Sequence, residues 1–148
     1  MKPKLFALLP ALALAAACSS TSEPSGPLAA VMTVVFPSRP ADTLRVLITD
    51  EATIVAAQSF IEHHTGPSLV SGKIVKGAGT DTRYPFHFVP ETVRLVDVAT
   101  ELCDGALMRT EAEVAQFFQG STGNANSPDA QWCPWGSKPL SIVLVSGS

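Results

Sequence analysis

Apolar and polar residues alternate along this chain in two rhythms, one with the period of a strand and one with that of a helix. Residues 31–36 (Val-Met-Thr-Val-Val-Phe) are rich in β-branched side chains and stop at Pro37, the pattern of a strand. Pro37, Pro40 and Asp42 supply a turn, and residues 44–49 (Leu-Arg-Val-Leu-Ile-Thr) follow as a second strand, pairing with the first as a hairpin. The rhythm then changes. Across residues 50–64, Ile54, Ala57 and Ile61 fall on one stripe with Phe60 beside them, which predicts a helix. Thr49 or Asp50 can cap it, Asp50 and Glu51 suit the positive end of its dipole, and Gly66-Pro67 is a stop signal.

The strand period returns at residues 72–76. A loop over 77–81 comes next, and then Tyr84, Phe86 and Phe88 alternate with Pro85 and His87 until Pro90. Residues 91–103 fit two templates. Leu95, Val98, Ala99 and Leu102 make a helical stripe, whereas Val96, Val98, Thr100 and Leu102 make one strand face. Five β-branched residues in this stretch favour the strand. Thr110-Glu-Ala-Glu113 is a capping box ahead of Val114, Phe117 and Phe118, so a short helix runs to Gln119 and stops at Gly120. Residues 121–131 read as a polar loop, and 141–145 as a final strand.

The resulting order, ββα-βββ-αβ, predicts an α+β fold. It comprises a mainly antiparallel sheet of about five to six strands with two helices, in a single domain over residues 28–148. The composition is that of a globular chain: 46% hydrophobic and 16% charged.

The first residues read as an address. Lys2 and Lys4 form a positive segment, residues 5–16 are apolar apart from Pro10, and Ala15-Ala-Ala17 precedes Cys18. Residues 1–17 are therefore expected to be a secretory signal, too short to span a bilayer. The Leu14-Ala-Ala-Ala-Cys18 ending looks like a bacterial lipobox, which makes Cys18 the lipidation site and residues 18–27 (Cys-Ser-Ser-Thr-Ser-Glu-Pro-Ser-Gly-Pro) a flexible tether. The expected location is extracytoplasmic: lipid-anchored in the bacterial envelope, at the outer membrane if the cell has one, with no other membrane contact. The alternative is ordinary cleavage after the same alanines.

With Cys18 taken by lipid, Cys103 and Cys133 remain as an even pair in an oxidising compartment. A disulfide between them is expected to close the fold, the alternative being two buried thiols. Net charge is −3 for the whole chain. It becomes −5 once Lys2 and Lys4 leave with the signal, which argues against a nucleic-acid partner.

Four pieces stand in order: Ser71-Gly-Lys-Ile-Val-Lys76, Tyr84-Pro-Phe-His-Phe-Val-Pro90, Glu101-Leu-Cys-Asp104 and Trp132-Cys-Pro-Trp135. Together they resemble a domain family named after the N-terminal region of a calmodulin-binding protein, the BP-seventy-four type. The resemblance covers most of residues 31–145, and Trp-Cys-Pro-Trp is its most specific part. It implies a stand-alone secreted bacterial domain and a link between Cys103 and Cys133, and it carries no mapped active site. The acid often found before the proline in relatives is Val89 here. Calmodulin binding is not supported by the residues. Calmodulin targets are basic amphipathic helices, and neither helical segment, 50–64 or 110–119, holds a Lys or Arg.

Among single side chains, His87 stands out. It points to the sheet face opposite Phe86 and Phe88, where it is a candidate ligand contact or, with Asp97, Glu101 or Asp104 to orient it, a general base. The plainer reading is a hydrogen bond to a strand neighbour. Asp97 and Glu101 share one strand face about 13 Å apart, too far for a glycosidase pair. His63 and His64 diverge by about 100° on a helix, so they form no metal site. Gly77-Ala-Gly79 lacks the rest of a dinucleotide fingerprint. Trp132 and Trp135 either pack around a disulfide or offer an aromatic platform.

These features favour a non-enzymatic binding or interaction module for an unknown protein or small ligand. Its candidate contacts are His87, Glu101, Asp104, Trp132 and Trp135, with no cofactor and no metal. The alternatives are a small hydrolase or metal-dependent enzyme centred on His87, or an enzyme inhibitor.

Overall fold

A computed structural model describes residues 28–37, 39–97, 107–120 and 130–145. The elements run β1 (Ala29–Phe36), β2 (Arg39–Ile48), α1 (Glu51–His63), β3 (Leu69–Lys76), β4 (Phe86–Phe88), β5 (Arg94–Val96), α2 (Glu111–Gly120), β6 (Ala130–Trp132) and β7 (Lys138–Val145). One turn of 3₁₀ helix, Pro90–Thr92, sits between β4 and β5.

The class is α+β, but the expected single sheet of five to six strands is corrected. Among the described residues, seven strands form two antiparallel sheets, one of order β2-β1-β7 and one built on β3, which pairs β4, β5 and β6. No disulfide joins two of the described residues, so closure by a disulfide is not part of the architecture they establish. Cys103, Glu101 and Asp104 lie outside the described residues, as do the signal, Cys18 and the tether.

The expected hairpin forms. β1 and β2 pair from Ala30↔Ile48 to Val35↔Thr43, with an irregularity at Phe36. Period-2 alternation is the cause. Ala30, Met32, Val34 and Phe36 all point inward and are buried, and Leu44, Val46 and Ile48 do the same from β2. β7 extends this sheet on the other side of β1.

Helix α1 starts where its cap requires. Asp50 accepts from the Thr53 N–H at 2.9 Å and from the Thr53 hydroxyl at 2.6 Å. Its inward stripe is Thr53, Ile54, Ala57 and Phe60, so Thr53 takes a core place that the apolar pattern gave to Ile61. The Thr53 hydroxyl also donates to the Val93 carbonyl at 3.1 Å, tying the helix to the segment ahead of β5. His64 ends the helix in the left-handed conformation, two residues before the glycine expected to stop it.

The ambiguous stretch after residue 91 resolves in part. Residues 94–96 are strand, as the β-branched content favours, and the 3₁₀ turn precedes them. Gly72 accommodates this turn. A Cβ there would lie 2.9 Å from the Phe88 ring and 3.2 Å from the Val93 Cα. The expected loop over 121–131 has a strand at its end. Ala130 and Trp132 are buried on either side of exposed Gln131, and they pair with Ile74 and Gly72. Three residues are too few for the alternation to stand out from a loop.

One core serves both sheets and both helices, joining Met32 and Ile48 to Ile54, Ile74, Phe86, Val114, Phe117 and Trp132.

Candidate ligand-binding cleft

At the edge of this core, which includes Tyr84, the segment between β3 and β4 folds over β2. Asp81 holds it there. Its carboxylate is 5% exposed and accepts the backbone N–H of Arg45 at 3.0 Å. It also accepts the Arg83 N–H at 3.3 Å, Nε at 2.8 Å and Nη2 at 2.7 Å. The same Arg83 Nη2 reaches the Thr43 carbonyl at 2.9 Å and its hydroxyl at 3.2 Å. Tyr84 donates its hydroxyl to that Thr43 carbonyl at 2.9 Å. Its ring lies under the Arg83 guanidinium, 5.5 Å away.

Helix α2 faces this segment, and its start is fixed by the expected capping box. The Glu113 N–H donates to the Thr110 hydroxyl at 3.2 Å, and the Thr110 N–H donates to Glu113 Oε2 at 2.9 Å. Glu113 also accepts the Arg109 N–H at 2.7 Å. Arg109, just ahead of the helix, pairs through Nη2 with Asp42. Lys76, at the end of β3, places its ammonium over the Phe118 ring at 5.3 Å.

Between these two walls lies an open cleft of about 660 Å³, lined among others by Lys76, Arg83, Tyr84, Arg109, Glu111 and Ala115. Among the described residues, three of its side chains are cations and one is an acid, on a chain whose net charge is −3. The Asp81 hydrogen bonds push Arg83 further up from its usual range, and the Asp42 hydrogen bond does the same for Arg109. Both therefore stay charged at any physiological pH. Burial pushes Tyr84 up, so its hydroxyl keeps its proton. The hydrogen bond from Arg83 holds Asp81 below the usual carboxylate range despite its burial. The cleft thus offers fixed positive charge, braced from behind.

His87 touches the lining of this cleft through Gly77. It points away from the core as the alternation predicts, and its Nδ1 lies 2.8 Å from the Gly77 carbonyl. Gly77 itself lines the cleft. Gly79 packs so closely on His87 that a Cβ would sit 2.4 Å from the histidine Cβ. His87 is thus placed as a brace for the 77–79 loop, in line with the plainer reading of it.

The two tryptophans separate. Trp132 is fully buried, with Phe86 edge-on at 5.0 Å and Phe88 tilted at 5.4 Å, so it is a core residue and not a surface platform. Trp135 is 54% exposed. Asp97 is exposed. His63 pairs with Glu62 at 3.7 Å, while His64 packs edge-on against Phe60, so the two rings diverge as expected.

None of the cleft's charged residues was singled out by the sequence. Asp81 and Arg83 are two apart, and that local spacing of opposite charges is the one signal that could have marked them. The partners Arg83–Thr43 and Arg109–Asp42 lie 40 and 67 residues apart and carry no such signal.

No curated protein matches the chain, and no solved structure does. Residues 30–146 match the family model described as the BP-seventy-four N-terminal domain. That span takes in both sheets, both helices and every residue of the cleft, and the chain belongs to the BP-seventy-four N-terminal domain family.

Proposed function

We propose that this chain is an extracytoplasmic binding module, held to the envelope by a lipid on Cys18, whose ligand seats between the 76–85 segment and the start of α2. The observation that carries this reading is the way the cleft is built. Its walls are fixed by Asp81, Thr43, Asp42 and Glu113, while its opening faces solvent. Preformed clefts of this size suit small ligands or a protruding segment of a partner, because little ordering cost remains on binding. The apolar leader, the lipobox-like Leu-Ala-Ala-Ala-Cys18 and the polar tether support the location.

The test compares the full chain, purified in mild detergent, with its Ala115→Trp variant as baits against solubilised envelope and extracellular extract. Ala115 lines the cleft and is only partly exposed, so an indole there fills the space without changing charge. A partner or small molecule retained by the wild type and lost from the variant, at unchanged melting temperature, is the expected result. Equal retention by both would overturn the placement. The anchor is tested separately: Cys18→Ser is expected to move the chain from the membrane to the soluble fraction.

A further inference from the structure

We infer that the cleft recognises an oxyanion, the carboxylate or phosphate group of a small acid, through Arg83, Arg109 and Lys76. This rests on the reading of the cleft as a binding site and adds the chemical class of what it takes.

The two guanidinium groups are anchored on neighbouring residues of β2. Arg109 is held by Asp42 and Arg83 by Thr43. Both arginines line the cleft near Tyr84, Arg83 from the 76–85 segment and Arg109 from just ahead of α2. Each remains about half exposed, at 52% and 54% of its side chain. Among the described residues, the Arg83 contacts use Nε and Nη2, and the Arg109 side-chain contacts use Nη2. Nη1 of Arg83, and Nε and Nη1 of Arg109, are thus available to a ligand. Planar forks suit oxyanions, which accept from them in pairs. Lys76 adds a third positive charge along the same lining.

Asp81 and Asp42 each pair with one of these guanidinium groups and offset part of its charge, but the groups that line the cleft are the cations. Asp81 is buried behind Arg83 and does not line the cleft, and Asp42 is likewise absent from the lining. Among the described residues, Glu111 is the one acid that lines it. It sits in the first turn of α2, where the helix dipole already favours an anion. A bound oxyanion meets the outward N–H groups of the two arginines, with Lys76 along the same lining and Glu111 as its repulsive neighbour.

The experiment is isothermal titration of the full chain in mild detergent with citrate, inorganic phosphate and, as the neutral arm, glucose. Citrate and phosphate are expected to bind and glucose not. Citrate binding alone assigns the site to carboxylates, and phosphate binding alone to phosphates; either supports the inference. The double variant Lys76→Gln/Arg109→Gln, which leaves the Asp81–Arg83 pair in place, is expected to weaken binding about tenfold or more. Glu111→Gln is expected to tighten it about threefold, since one exposed like charge is removed. That gain cannot come from misfolding. Binding is also expected to weaken as salt rises.

No heat with either acid, or binding that neither variant changes, would overturn the inference. If Ala115→Trp still abolishes capture of a partner in that case, the cleft binds something other than an oxyanion and only the ligand class falls. If capture is also unaffected, the binding site itself falls with it.

Discussion

The carboxylate of Asp81 takes two hydrogen bonds from the guanidinium of Arg83, at 2.8 Å from Nε and 2.7 Å from Nη2. The two residues are separated by only Thr82, so the pair closes a tight local ring. The Arg45 N–H then pins that ring to β2. One carboxylate therefore holds the loop's shape, its cation and its place on the sheet.

Replacing Asp81 by Ala is expected to cost about 1–3 kcal/mol, because the Arg45 N–H and the arginine fork lose their acceptor together. Urea denaturation measures this. An unchanged midpoint would mean that the loop is held by Tyr84 and Thr43 alone.

Stability is expected to fall in acid. Asp81 is held below its ordinary range chiefly by the Arg83 hydrogen bond, Asp50 by the Thr53 hydroxyl, and Glu113 by the Arg109 N–H. In each case the folded pKa lies under the unfolded one. The stabilisation is fully present above about pH 5, where the unfolded carboxylates are ionised, and is lost as pH falls through the folded values. Melting temperature measured from about pH 7 to about pH 2 should show the drop, and Asp81→Asn should reduce its size.

Gly79→Ala is expected to destabilise by about 1–3 kcal/mol, since its new Cβ overlaps the His87 side chain. The cause is specific to one neighbour, which makes it separable. In a His87→Gly background both of the closest atoms are gone, and the same Gly79→Ala change should cost distinctly less. A double-mutant cycle with no coupling would show that the loop simply moves aside.

The two tryptophans are expected to differ in kind. Trp132→Ala removes a fully buried indole from between two phenyl rings and should cost about 3–5 kcal/mol. Trp135→Ala, on the surface, should stay within about 0.5 kcal/mol. Trp132→Phe should cost less than its lost volume suggests, because the indole N–H has no partner among the described residues and leaves with it.

Strand β7 is an edge of its sheet among the described residues, and Leu140, Val143 and Leu144 are 54%, 63% and 54% exposed along it. Beyond Lys138 this edge carries no charge, and an apolar edge invites pairing between chains. Val143→Lys is expected to lower light scattering at high protein concentration while leaving the unfolding free energy within about 0.5 kcal/mol. Scattering that stays high would mean that the edge is not the sticky surface.

Much of this could be read before folding was considered. Helix α1 announced its cap at Thr49 or Asp50, and α2 its capping box at Thr110 and Glu113, because caps are bonds between residues about three apart. The β1–β2 hairpin was legible because alternation over six or more residues is a strong signal. Three-residue β6 was not, because its only mark is one exposed Gln131 between Ala130 and Trp132. Trp132 and Trp135 share one tetrapeptide and look equivalent along the chain. Their fates diverge because Trp132 falls on the inward side of β6 and Trp135 lies in the turn beyond it.

The sequence by itself determined the family, through the ordered pieces from Ser71 to Trp135, and most of the elements, through local periodicity and capping. Only the tertiary structure decided that the strands divide into two sheets, because pairing with β3 depends on distant residues, as Ser71 meeting Gln131 across 60 positions illustrates. It alone also assembled the cleft. Asp42, Thr43, Lys76, Arg83 and Arg109 carry no mark of common purpose along the chain. They meet because the β1–β2 hairpin, the 77–85 loop and α2 are packed against one core, and charge acts through space rather than along sequence.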